Sequence, residues 1–244
     1  FGARVGVGAA WVALASYVAL AISLATVTGY FTDLTLQSLG INWGWKTWTV
    51  LVIALTAYLG RANIDFAAKV LVPLVLAEFF MLFVLGMSIL MDKGNAALPL
   101  QAISVSAITA PGMGVGMMIA LAAFLGVESA ALYAMEARRP EKSIPGATRL
   151  AVALVAATYF VVIWLVVGDI GVDTIKEEAA TAQGELVINV FSKHLGGTVA
   201  TIVSIMLCTS NFACLLSLHN AATRYVHVLA RDKHLPSVLA DTHL

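Results

Sequence analysis

Long apolar runs with almost no charge recur along this chain, and most reach the roughly 20 residues that a helix needs to cross a bilayer. Val5 to Thr32 and Leu150 to Gly168 carry no charge at all. Glu78 is the only charge from Val70 to Met91, and Glu128 the only one from Val115 to Met135. Leu195 to Thr223 holds only His219, and Trp48 to Gly60 is shorter, with Ile41 to Trp45 expected to lengthen it. Lipid offers backbone N–H and C=O groups no partner, so a chain built this way crosses as helices that satisfy those groups internally. The expected fold is therefore all-α, a polytopic membrane helix bundle forming one membrane domain over residues 1–244. Six spans are expected near 5–31, 44–60, 68–91, 115–136, 147–169 and 196–230.

Composition agrees. Charged residues make up 11% of the 244 and hydrophobic ones 60%, whereas a soluble domain is about one quarter charged. With Lys+Arg 14 and Asp+Glu 14 the formal net charge is zero, so no basic field exists to draw in nucleic acid. Cys208 and Cys214 sit in apolar sequence at a spacing that fits no metal or redox motif, and they read as small packing residues. The chain begins with Phe1 rather than Met, without the features of a short signal peptide, and is expected to be a fragment.

Lys and Arg are retained on the cytoplasmic side of membrane proteins. One set of loops holds ten of the 14: Arg4, Arg61, Lys69, Arg138, Arg139, Lys142, Arg149, Arg224, Arg231 and Lys233. The other holds the remaining four of the 14: Lys46, Lys93, Lys176 and Lys193. Both ends of the chain are thus expected to face the cytoplasm. The 170–194 connection, with Asp173, Glu177, Glu178 and Glu185, is expected to lie outside and cap the bundle.

Gly126 and Glu128 fall near the middle of the fourth run. A helix-interior glycine costs about 1 kcal/mol relative to alanine, and a mid-membrane carboxylate about 3 kcal/mol on insertion scales. Either the helix is interrupted there to expose backbone groups to a ligand, or Gly126 permits close helix packing and Glu128 bonds to a neighbouring helix. Glu78, five residues after Pro73, is either a proton carrier or a permanently neutral acid sharing a hydrogen bond. Ser210, Asn211, Ser217, His219 and Asn220 can hydrogen-bond between helices, and most of them read as structural glue. Gly112-Met-Gly114-Val-Gly116 lacks the strand and lysine of a phosphate loop and reads as a flexible entry to the broken helix. No catalytic constellation and no metal-ligand spacing is found, so neither an enzyme nor a bound metal or other cofactor is expected.

The stretch FLGVESAALYAMEARRPEKSIPGAT, Phe124 to Thr148, resembles the amino-acid/polyamine/organocation permeases. There a Phe-x-Gly-x-Glu break in the sixth helix precedes a loop of the form Glu-x-x-x-Pro-x-x-x-x-Pro, supplied here by Glu136, Pro140 and Pro145. RYVHVLARDKHLP, Arg224 to Pro236, is similar to the family's eighth helix and the turn after it. The resemblance covers essentially the whole chain and implies helices three to eight of a twelve-helix permease, a partial LeuT-type inverted-repeat fold. It implies an amino-acid substrate held by backbone at Phe124, Leu125, Gly126 and Val127, with Ser129 beside them; Ser16 and Tyr17 are either third-helix contributors to the site or residues that pack between helices. Glu128 becomes the leading proton-coupling candidate and Glu78 the second, the latter standing where several relatives carry a lysine. Half of the family's substrate site, on the first helix, would lie outside this chain.

The function expected is secondary transport of amino acids or related amines by alternating access, coupled to a proton or a counter-substrate, in the plasma (inner) membrane. The alternative is a non-transporting sensor or scaffold that keeps the permease fold.

Overall fold

The computed structural model describes residues 3–60, 64–124, 126, 127, 130 and 139–240. Among them the regular elements are helical, and four helices are long and apolar enough to cross a membrane. In chain order the elements are α1 (Ala3–Gln37), α2 (Trp45–Leu59) and α3 (Ile64–Lys93), then two 3₁₀ turns (Gly94–Ala97 and Leu100–Ile103) and the single-turn α4 (Val105–Ile108). There follow α5 (Met113–Ala122), α6 (Pro140–Ile170), α7 (Ile175–Ala182), α8 (Leu186–Leu195) and α9 (Gly197–Arg231).

Only 11% of the most apolar window of α1, α6 and α9, and 17% of that of α3, is buried inside the chain. Trp11, Phe80, Phe83, Phe160 and Ile163 are among the large apolar side chains that face outward. A helix that is apolar all round belongs in a hydrocarbon surround, and so much exposed apolar surface would drive aggregation in water. Side-chain hydroxyls follow the same logic. Thr28 donates to the Leu24 carbonyl at 2.7 Å, Thr32 to Thr28 at 2.7 Å and Thr35 to Phe31 at 2.8 Å, each one turn back on α1. Ser217 likewise donates to Ala213 at 3.0 Å on its own helix α9. Its hydroxyl is satisfied within the helix rather than between helices, contrary to the glue expected from its polarity. Each such bond removes a donor that lipid could not satisfy.

The chain forms two compact units, one from Phe1–Val75 with Ser204–Leu244, the other Leu76–Val203. In the first, α1 packs on α2 at Gly29, where a Cβ would fall onto the backbone of Thr49. The connection between these helices is tied by Asp33, which is 6% exposed. Its carboxylate accepts the Gln37 amide at 2.7 Å and the Gly44 backbone N–H at 3.1 Å. Gly44 has φ +82 and Gly40 φ +85. These left-handed turns are the reason that Ile41 to Gly44 do not extend α2, as the apolar sequence had implied. α2 is 15 residues, about 22 Å at 1.5 Å per residue. Elsewhere in this unit Tyr17 (3% exposed) packs on Tyr225 with ring centroids 5.6 Å apart, and the Cys208 thiol lies 3.6 Å from the Thr35 hydroxyl.

The second unit has its own core of Leu85, Ile89, Ala97, Leu165, Val166, Val190, Phe191 and Ala200. Gly86 admits the Leu165 side chain, and Gly168 lets α6 close onto the backbone of Ala97. Trp164 donates its indole N–H to the Pro99 carbonyl at 3.0 Å. The segment after α6 folds as α7 and α8, and α8 turns Val190 and Phe191 into this core.

Candidate functional site

α5 begins where Gly112 takes up φ +96. Gly114 and Gly116 lie inside the helix, so the glycine-rich stretch is helical after its first residue rather than a flexible entry. The last regular bond of α5 runs from the Ala123 N–H to the Ile119 carbonyl at 3.1 Å. Phe124 then donates to Leu121 and Val127 to Phe124, three residues back each time, at 3.1 and 3.4 Å. Gly126 has φ +98. A right-handed helix cannot hold that value, so α5 ends before the Phe-x-Gly motif and the chain turns through it. The carbonyls of a helix's last turn have no partner further along the helix, which is what gives such an end its capacity to receive a donor.

Phe124 is half-buried and meets Tyr159 of α6 edge-on, with centroids 6.5 Å apart and an interplanar angle of 67°. One side of the turn is thereby fixed to a long helix. Phe124, Gly126 and Val127 are brought together by the turn itself. Leu125, Glu128 and Ser129 lie outside the described residues. Glu78 sits at the middle of α3 and is half-buried. Ser16 and Tyr17 occupy neighbouring positions on α1 but face different surroundings. The Ser16 hydroxyl donates to the Val12 carbonyl at 2.9 Å and is exposed, whereas Tyr17 is buried against Tyr225.

A polar cluster that the sequence did not point to lies where α3, α6 and α8 end. Asp169, in the last turn of α6, has its side chain fully buried. A carboxylate there faces the negative end of the helix dipole and needs cationic partners. Lys193 supplies one, its Nζ 2.8 Å and 3.0 Å from the two carboxylate oxygens. His194 lies with Nε2 2.9 Å from Oδ1. Asp92, near the end of α3, completes a group of three potential ligands. The residues are far apart in sequence; the available signals were an acid at the very end of an apolar run and an adjoining Lys-His pair.

The comparisons bear on the whole chain. Neither the curated proteins nor the solved structures contain a match to it. A family model described as amino acid permease matches residues 1–243. That family is one of transporters embedded in the membrane and acting on small molecules, rather than of enzymes. The apolar helices agree with it, and this chain, an integral membrane protein, belongs to the amino acid permease family.

Proposed function

We propose that the protein moves amino acids or related amines by alternating access, with the turn at Phe124 to Val127 as part of the substrate site. The observation that carries this reading is the end of α5 at Ala122 followed by left-handed Gly126, directly in the motif. A helix end within an apolar run presents carbonyl oxygens with a fixed negative partial charge, suited to a substrate ammonium group. Phe124, Leu125, Gly126 and Val127 contribute backbone, Ser129 a neighbouring hydroxyl, and Phe124 an aromatic wall anchored by Tyr159. Glu128, two residues from Gly126, carries the coupling proton, with Glu78 of α3 as a second acid of the pathway. An intramembrane acid is costly enough that a transport role is its default reading. The charge distribution supports a cytoplasmic N-terminus and a cytoplasmic end after α9; the membrane we assign is the plasma or inner membrane.

Labelled amino-acid uptake by the full-length protein in liposomes, with and without an imposed pH gradient, tests this reading. Uptake or exchange that responds to the gradient is expected. Binding without translocation over a broad amino-acid panel would replace the transporter with a sensor. For Glu128→Gln the pH profile of uptake should flatten while the amount of folded protein is unchanged; a profile identical to the parent removes Glu128 from the mechanism.

A further inference from the structure

We propose that Asp92, Asp169 and His194 form a binding site for a divalent transition-metal cation of the zinc class, which Lys193 occupies with its ammonium group when the metal is absent. This site shares no residue with the substrate turn and does not depend on the transport reading.

One potential ligand atom from each of the three residues lies within 4.8 Å of the other two. Ligands of a tetrahedral zinc ion, at about 2.0 to 2.2 Å from the metal, stand about 3.3 to 3.5 Å from one another. Asp169 and His194 stand at 2.9 Å, a few tenths of an ångström inside that separation, so an ion between them requires only a small parting of the two side chains. Asp92 is exposed, so its side chain can turn to close the remaining gap.

The imidazole gives an independent indication. The His194 side chain is only 6% exposed, and its Nε2 has no hydrogen-bond partner. The 2.9 Å approach to Asp169 is an ion-pair distance, yet Nε2 makes no hydrogen bond of good geometry there. Two potential ligand atoms brought this close without a hydrogen bond between them suit two ligands of a common ion. A buried ring nitrogen left unbonded also carries a cost that coordination would remove. A cavity of about 460 Å³, lined by Ser88, Met91, Asp92, Lys193 and His194, gives access.

The donor set selects the class of ion. One imidazole nitrogen with two carboxylates favours Zn²⁺ and neighbouring transition ions over Mg²⁺ or Ca²⁺, which prefer oxygen alone. Two carboxylates also balance a divalent charge once Lys193 has withdrawn. Its side chain is 52% exposed, so it can leave for water. Metal and ammonium thus compete for Asp169.

The test is titration of the chelator-treated full-length protein in detergent with Zn²⁺ by calorimetry, and with Co²⁺ by its visible absorption as a coordination probe. Saturable binding of one ion is expected. His194→Ala and Asp92→Asn should each weaken it by more than the roughly 10- to 100-fold typical of losing an outer-shell partner. Lys193→Met should tighten it, which a purely structural ion pair would not do. Thermal melting without metal checks folding, and Asp92→Asn, altered at an exposed side chain, decides the matter if His194→Ala does not fold. Absence of Zn²⁺ binding, or binding unchanged by Asp92→Asn, overturns the site.

Discussion

Gly126→Ala isolates the backbone turn from everything around it. Gly126 has φ +98, and among the described residues no atom lies within 4 Å of the position that a Cβ would take. A new methyl group therefore meets no described neighbour, and the expected effect is that of the residue's own conformation. Holding an L-residue in the left-handed region costs about 1 to 2 kcal/mol. Alanine also favours continued helix over glycine by about 1 kcal/mol, which pushes in the same direction, toward prolonging α5 through the motif. Taking the first contribution alone, the turn loses population by roughly 5- to 30-fold.

If the turn is the binding conformation, initial uptake in liposomes should fall by up to that factor, while the melting temperature in detergent falls by only the few degrees that about 1 to 2 kcal/mol produces. Gly116→Ala is the internal control. It lies inside α5, its Cβ position has no described atom within 4 Å beyond its own helix backbone and chain neighbours, and it has no positive φ. There alanine should strengthen the helix by up to about 1 kcal/mol and leave uptake intact. Equal uptake and equal stability for the two variants would refute the argument, because the left-handed turn would then be dispensable.

Three further substitutions probe the packing that holds the helices. Asp33→Ala removes the acceptor of the Gln37 and Gly44 bonds and should cost about 1 to 3 kcal/mol of stability; Asp33→Asn, which keeps an oxygen for Gly44, should lose less in the same melting assay. Phe191→Ala empties a position that is 1% exposed in the core beneath α8 and should cost about 3 to 5 kcal/mol, read as a lower melting temperature. Gly168→Ala drives a methyl group into the Ala97 backbone and should cost about 1 to 3 kcal/mol by overpacking; a melting temperature equal to that of the parent would show that α6 can retreat from that turn.

The long helices were legible because a span needs only length and apolarity, and α1, α3, α6 and α9 have both. A break near Gly126 is one of two readings left open by a glycine close to an acid in the middle of an apolar run; α5 ends at Ala122 and Gly126 takes a positive φ. Features set by individual dihedral angles or by distant partners were not legible. Ile41 is as apolar as any span residue, yet the left-handed turn at Gly44 keeps it out of α2. Gly114 and Gly116 look permissive in sequence, but only Gly112 of that group uses a positive φ. The direction of the Ser217 hydroxyl, into its own helix, is a choice of rotamer. The Asp92, Asp169 and His194 cluster depends on three helix ends converging, which no local pattern encodes.

The disposition of polar groups supports the proposal that a ligand is held at the turn of Phe124 to Val127 rather than by a side-chain constellation. Along α1 the threonine hydroxyls are bonded to carbonyls of the preceding turn, and Ser16 and Ser217 do the same. Within a regular span the backbone groups are engaged by the helix itself. The Asp169 carboxylate with Lys193 sits in the last turn of α6, and Asp33 is spent on the connection before α2. Polar capacity therefore becomes available inside an apolar run chiefly where a helix stops. Among the described residues α5 stops within the fourth apolar run, two residues before Phe124 and with Gly126 turned the wrong way to continue. A site made of backbone reads a group common to all amino acids, and leaves discrimination among side chains to residues around the turn. On that argument, substitutions at Gly126 should lower uptake of every substrate by a similar factor, whereas changes at Phe124 should alter the ranking among them.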